Sequence, residues 1–229
     1  IGQYAENVYF NKPCGLLDQS VIALGGIVKL DFKDGLVSQR INSDMSRYNL
    51  VLVDTGGSHA NLTEHYAAIP AEMKAVANYM GADRLIEKDS AEFFARYDEI
   101  VKNVGLRPAL RAKHFYEENA RVDEAGRCLE KGEWTSFIEL INQSGQSSLT
   151  QLQNCSYPGG DTLIPDAIAL ARKLNPDGAV RVHGGGFAGT ILNIVDRRHS
   201  REFVGEMQKV YGKNKVFLLK VRSVGTKVL

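Results

Sequence analysis

The amino-acid sequence predicts an α+β fold, because short apolar strand patterns open and close the chain and helical patterns fill its middle. The strand patterns are β-branched runs bounded by turn residues. In the middle, apolar residues recur at steps of three and four, which is the period of a helix. We therefore predict two packed α+β layers, with a soft boundary near residue 45.

Three strands are predicted within residues 26–54. Turn signals at 33–35 (Lys-Asp-Gly) and 43–44 (Ser-Asp) separate them. The three runs read GGIVKLDF, LVSQRI and YNLVLVD.

The most regular helix pattern runs from Thr63 to about Met80, with Thr63 as candidate N-cap and Gly81 as the stop. Pro165 is compatible with a helix start, because a first helical turn tolerates proline. The other predicted helices cover 107–131, EWTSFIELI, DTLIPDAIALARKL and a segment around 199–211. Three late strands are also predicted: one that ends near Val182, one over TILNIVD and one over KVFLLKV.

Composition argues against several classes of protein. The chain has 28 basic and 27 acidic residues, a formal charge of +1, so it offers no bulk attraction for nucleic acid or acidic membranes. Its 3 cysteines are odd in number, and neither they nor the 5 histidines show metal-site spacing. We expect a cytoplasmic protein without structural zinc. The first residues lack an initiator Met and a signal peptide, so we also expect a fragment whose beginning lies elsewhere.

The stretch RVHGGGFAGT, residues 181–190, has four glycines in ten positions. It lacks the Lys-Ser/Thr pair of a P-loop, and strand rather than helix pattern follows it, which argues against a dinucleotide fingerprint. Glycine weakens regular elements, so this density indicates either a sharp turn with positive φ or a ligand close to the backbone. Both interpretations remain open, and they are compatible.

Asp18 lies in NKPCGLLDQSVIALGG, an otherwise apolar helical stretch. A carboxylate facing apolar neighbours costs free energy unless it is paired or used in chemistry. One interpretation of Asp18 is therefore a functional carboxylate held among apolar side chains. The alternative is an Asp on the solvent side or near a helix start.

The stretch VDTGGSHANLTEHY places polar side chains where a strand gives way to a helix. Such a cluster beside a helix N-terminus suits contact with a sugar or an anion. Capping and turn chemistry explain most of these residues equally well. The side chains concerned are Thr55, Ser58, His59, Asn61 and Tyr66.

Four stretches resemble, in the same order, the motifs of galactokinases of the GHMP small-molecule kinase superfamily: KPCGLLDQ, NLTEHY, ENARVDEA and RVHGGGFAGT. The resemblance covers nearly the whole chain and corresponds to the family's C-terminal portion. It implies that residues 1–45 end the N-terminal GHMP domain. Residues 46–229 would form the C-terminal domain, a ferredoxin-like α/β sandwich.

The resemblance also implies roles for single residues. Asp18 matches the family's proposed catalytic base beside the anomeric hydroxyl of the sugar. Gly15 matches a glycine that lies against the sugar in the family. Tyr66 matches a tyrosine whose hydroxyl contacts the sugar. The glycines of the loop beside the active site match Gly184, Gly185, Gly186 and Gly189.

The implied reaction is transfer of the ATP γ-phosphoryl group to O1 of galactose, with Mg²⁺ as the metal. The phosphate loop, the metal ligand and most sugar contacts are expected upstream of Ile1, so we expect no metal ligand in this chain. We also expect no activity from the chain alone, and self-association of the truncated chain. Neither nucleic acid nor membrane is an expected partner. Two alternatives remain: a kinase of a related sugar such as N-acetylgalactosamine, and a non-catalytic sugar sensor.

The chain departs from the family pattern at several positions. His183 and Ala188 stand where many galactokinases have Thr and Gly, and the segment before Tyr66 also differs. The identity of the sugar therefore stays open. We expect His183 to be a satisfied structural histidine, and His59 and His65 to have surface or capping roles.

Overall fold

Six strands form two antiparallel sheets in the part of the chain that the computed structural model describes, which is residues 1–10, 14–57 and 62–227. The first two strands pair only with each other, and the other four form a central sheet. All three strands predicted within residues 26–54 are confirmed. The strands are β1 (Ile27–Asp31), β2 (Val37–Ile41), β3 (Tyr48–Asp54), β4 (Ala179–His183), β5 (Thr190–Asp196) and β6 (Val216–Leu219).

The central sheet has the strand order β4-β5-β3-β6, so early β3 lies between two late strands. Val51 of β3 is opposite Asn193 of β5 and Leu218 of β6. The burial of β3 explains why it leaves β2, its neighbour in sequence. Its residues are all buried or half-buried, whereas four of the five residues of β2 are exposed. A strand with two apolar faces needs cover on both sides.

The described residues contain nine α-helices, and the helices predicted over 63–80 and 107–131 are confirmed within one residue at each end. Two short helices at 90–103 were not predicted, because six or seven residues show too little periodicity. The helices are α1 (Gly2–Tyr4), α2 (Leu17–Leu24), α3 (Thr63–Tyr79), α4 (Ser90–Ala95), α5 (Tyr97–Asn103), α6 (Leu106–Lys131), α7 (Trp134–Ser147), α8 (Leu163–Leu174) and α9 (Ser200–Tyr211).

The predicted N-cap of α3 is wrong. Leu62, not Thr63, occupies the cap position, and it makes no side-chain capping bond. Leu62 is buried with Phe187 and Ala188, so tertiary packing rather than capping chemistry sets where this helix starts. The predicted stop is confirmed: the helix ends at Tyr79, and Gly81 follows with a φ of +78°.

Helices cover both faces of the central sheet. Side chains of α8 and α9, such as Ile168 and Phe203, pack with Val51 and Val53 of β3 on one face. On the other face Ile138 of α7 packs against Tyr48. Alternate residues of β3 therefore point into different cores, as the period of a strand requires. The result is the predicted α+β fold.

The hairpin of β1 and β2 is held by the tail that follows β6. Gly26 N–H donates to the Arg222 oxygen (2.7 Å), and Arg40 Nη1 donates to the Ser223 oxygen (3.3 Å). The hairpin also contacts α6, through the ion pair of Lys29 with Asp123. The hairpin thus contacts both the C-terminal tail and α6, which lie beyond residue 45 in the sequence. The domain boundary near residue 45 stays a prediction. No helix in the described ranges is long and apolar enough to span a bilayer.

Candidate functional site

A cavity of about 610 Å³ lies where the start of α2 meets the end of β4. It brings together residues from opposite ends of the sequence: Gly15 and Asp18 on one side, His183, Gly184 and Gly185 on the other. Apolar side chains from the sheet and α7 line the rest of it, among them Leu50, Phe137, Ile141 and Leu192. Four of the seven predicted site residues therefore share one cavity.

Asp18 lies in the first turn of α2 and is exposed. The prediction of a carboxylate buried among apolar neighbours is wrong, and the alternative position near a helix start is the observed one. An acidic side chain is favoured there because the N-terminal end of a helix carries partial positive charge. Asp18 still lines the cavity, so its carboxylate is available to a ligand bound there.

His183, the last residue of β4, is exposed and lines the same cavity. The expectation of a satisfied structural histidine is not supported by this position. Desolvation by the surrounding cavity wall lowers the pKa of His183, and the positive charge of Arg181 lowers it further, whereas the negative charge of Asp18 raises it. Two charged side chains of the cavity, Arg181 and Asp18, thus act in opposite directions on the pKa of His183.

The glycine loop, residues 184–189, joins β4 to β5. Gly184, Gly186 and Gly189 have φ values of +75°, +84° and +98°, a region that residues with a Cβ rarely adopt. The turn interpretation of the glycine-rich stretch is therefore correct for these three positions. Phe187 adopts a φ of +57° without that freedom.

Gly185 is required for a different reason, which is its contact with Tyr66. A Cβ built on Gly185 would lie 2.8 Å from Cε1 of the Tyr66 ring. That ring is held in place, because the Tyr66 hydroxyl donates a hydrogen bond to the Gly186 oxygen (2.7 Å) and the ring meets Phe187 edge-on. Burial raises the pKa of Tyr66. Tyr66 is not among the described residues that line the cavity, and it reaches the site through the glycine loop.

Replacing Gly185 by Val should lower the melting temperature, because the added methyl groups meet the Tyr66 ring. We expect a loss of about 1–3 kcal/mol of unfolding free energy, the usual cost of overpacking. Tyr66→Leu in the same chain removes the ring and should restore part of that loss. Denaturant unfolding of the two single variants and the double variant measures the coupling, and strict additivity would contradict the contact.

Asn154, which lies outside the sequence motifs, and Thr55, from the polar cluster after β3, also hold the glycine loop. The buried Asn154 accepts a hydrogen bond from Phe187 N–H (2.5 Å) and donates one from its side-chain amide to the Gly185 oxygen (3.0 Å). Thr55 donates its backbone N–H and its hydroxyl to the Gly189 oxygen, at 2.9 and 2.8 Å. No local pattern marks Asn154, since its role depends on contacts about thirty residues away in the sequence.

The polar cluster after β3 is only partly described. Thr55 bonds the distant Gly189 oxygen, so its role is a tertiary contact and neither local turn nor capping chemistry. Ser58, His59 and Asn61 lie outside the described residues. His65 is half-buried and stacks on Tyr157 with ring centroids 4.5 Å apart, so the surface or capping role expected for it is wrong. Within the described ranges, no three His, Cys, Asp or Glu side chains are grouped as a metal site.

Similarity to known proteins extends along nearly the whole chain. It is 26% identical to human galactokinase over 99% of its length and 29% identical to the galactokinase of Glaesserella parasuis over 100%. The galactokinase of Streptomyces lividans is 29% identical over 85% of the chain. These matches cover 56%, 60% and 48% of the three relatives, so the chain spans about half their length, in their C-terminal part. No protein-family model matches the chain.

Solved structures show the same fold. Lactococcus lactis galactokinase, crystallised with galactose, superposes with a TM-score of 0.83 at 24% identity, covering 99% of this chain and 59% of that one. Leishmania major mevalonate kinase in complex with R-mevalonate gives a TM-score of 0.54 at 14% identity, covering 88% of this chain and 51% of that one. The resemblance stated from the motifs is confirmed: in sequence and in fold, this chain is similar to the C-terminal part of the galactokinases.

Proposed function

We propose that this chain is the C-terminal part of a galactokinase, which transfers the γ-phosphoryl group of ATP to O1 of galactose. The observation that carries the proposal is the shared cavity. It places the CGLLDQ motif, with Gly15 and Asp18, opposite the glycine loop of the GGGF motif. Both motifs resemble those of galactokinases, and they are far apart in the sequence.

Asp18 is proposed as the base. As the bond between the sugar O1 and the γ-phosphorus forms, the O1 proton passes to the Asp18 carboxylate, and the bond between phosphorus and ADP breaks. A base needs to lie within hydrogen-bond reach of the proton it accepts. Its place in the first turn of α2, on the cavity wall, supports that role.

Gly15 and the glycine loop are proposed to shape the sugar and phosphoryl sites. Gly15 has open space around the position of a Cβ, which leaves room for a sugar ring. Gly184 and Gly185 offer backbone without side chains on the opposite wall. Tyr66 acts on the site through its bond to the Gly186 oxygen, in addition to the sugar contact that the family resemblance implies.

ATP and Mg²⁺ are proposed as cosubstrate and metal of the longer protein. Among the described residues, no three acidic, His or Cys side chains are grouped as candidate ligands of the metal. We therefore assign no step of the transfer to the metal. The main ATP and metal contacts are proposed to lie upstream of Ile1, and residues 1–45 to complete the N-terminal domain.

The proposed partners are small molecules, galactose and ATP, and the proposed location is the cytoplasm. The three cysteines are all free thiols, which suits a reducing compartment. Burial raises the pKa of Cys155 to about 12, so this thiol is inert.

A coupled ADP-release assay tests the proposal. The longer protein should turn over galactose with ATP and Mg²⁺, while the 229-residue chain alone should turn over no sugar. Galactose, glucose, arabinose and N-acetylgalactosamine form the substrate panel. Turnover of N-acetylgalactosamine but not galactose would overturn the sugar assignment, and binding without turnover of any sugar would favour a sensor.

A further inference from the structure

Two side chains hold the peptide between Gly185 and Gly186 and the peptide that follows it. The Asn154 amide donates to the Gly185 oxygen, 3.0 Å away. The next oxygen, that of Gly186, accepts the Tyr66 hydroxyl at 2.7 Å. Asn154 is 3% exposed, and it also accepts the Phe187 N–H through its own backbone oxygen.

A peptide between two glycines has little intrinsic preference for one orientation. The unit is planar and trans, so its C=O and N–H point in opposite directions. Neither residue has a Cβ to block rotation of the whole plane. The Gly185 oxygen therefore points to Asn154 because the Asn154 amide supplies a donor there, and the Gly186 N–H points away from Asn154.

We infer that Asn154 is a positioning residue, which selects one orientation of the Gly185–Gly186 peptide and so sets which backbone groups the glycine loop presents to the cavity. This inference extends the proposed phosphoryl transfer at the cavity. Only its test by turnover rests on that proposed function. Asn154 itself is not among the described residues that line the cavity.

The chemistry of the amide makes a sharp test. In Asn154→Asp the side chain keeps its shape but loses its donor, and a carboxylate next to the Gly185 oxygen is repulsive. Rotation of the peptide removes this repulsion and brings the Gly186 N–H to the carboxylate, where it gains a charge-assisted hydrogen bond.

The matched control is Asn142→Asp. The Asn142 amide donates to the Gly178 oxygen (2.9 Å), and its oxygen accepts the Val180 N–H (3.1 Å), so this residue also bonds a glycine carbonyl. Asn142 lies on α7 at the opposite end of β4 from the glycine loop. Both variants lose the same type of bond, and only one of them acts on the loop.

Amide hydrogen exchange of the chain, labelled with ¹⁵N-glycine, separates positioning from simple stabilisation. At about pH 8, where a free Asp carboxyl is ionised, the Gly186 amide in N154D should become at least about 10-fold more protected, although the variant melts lower. In N142D the Gly186 amide should not gain protection. Unchanged or reduced protection in N154D, or the same gain in N142D, would overturn the inference.

Turnover by the longer protein gives a second, independent readout. At about pH 8, N154D should lower kcat per folded molecule by about 10-fold or more with little change in the KM for sugar, whereas N142D should keep the wild-type kcat. Lowering the pH protonates the buried carboxyl, whose O–H again donates to Gly185, so the defect should shrink. A defect that does not change with pH would count against the inference.

If N154D does not fold, Asn154→Ala removes the donor without adding charge. It should lower kcat less than tenfold and leave the Gly186 amide without added protection; wild-type kcat in N154A would overturn the inference. Failure of the wild-type protein to phosphorylate any sugar would refute the proposed function, while the exchange experiment would still decide the role of Asn154.

Discussion

Asp18→Asn in the longer protein should lower kcat by about 10²–10⁴-fold, the usual contribution of a positioned acid–base group. The amide keeps the size of the carboxylate but cannot accept the proton of the sugar hydroxyl. Since Asp18 lines the cavity without being buried, little should change in the fold. Steady-state kinetics should therefore show a lower kcat and a KM for sugar that changes far less.

Asp98→Asn is the matched control. Asp98 is exposed and is the second residue of α5, as Asp18 is the second residue of α2, but it does not line the cavity. Both variants lose one favourable charge at a helix start, worth about 0.3–1 kcal/mol. Only Asp18→Asn should lose turnover. If Asp18→Asn kept the wild-type kcat, Asp18 would have no catalytic role and would only stabilise the start of α2.

Gly186→Ala should cause a large loss of stability, about 2–5 kcal/mol of unfolding free energy. The first part is the left-handed backbone, since a φ of +84° costs a residue with a Cβ about 1–2 kcal/mol. The second part is steric overlap, because the new Cβ would lie 2.0 Å from the Asn154 backbone oxygen, and overpacking costs about 1–3 kcal/mol. Urea unfolding measures the sum.

Gly184→Ala separates the two contributions. Gly184 has a similar φ of +75°, but no heavy atom lies within 4 Å of a Cβ built there. It should lose only the backbone contribution, about 1–2 kcal/mol. If Gly186→Ala and Gly184→Ala lost equal unfolding free energy, the Asn154 backbone would have shifted to make room for the Cβ. Its oxygen would then not hold the loop in place.

The sequence by itself determined the parts that depend on local spacing. The 3.6-residue period of 107–131 is a property of the helix itself, and α6 forms there. The β-branched runs at 48–54 and 190–196 became strands for the same local reason. The two motifs of the candidate site, around Asp18 and around the glycine loop, were also recognised from the sequence, because each motif is contiguous.

Only the tertiary structure decided which distant segments meet. Strand β3 pairs with β5 and β6 rather than with β2, because both its faces are apolar and helices cover the central sheet on both sides. Asp18 is exposed although its neighbours in sequence are apolar, since its place in the first turn of α2, not the local composition, sets its surroundings. Gly185 is needed because Tyr66 approaches it from α3, and Asn154 bonds the Gly185 oxygen from a segment without any motif. Such contacts depend on how the layers pack, and the spacing of residues along one segment carries no information about them.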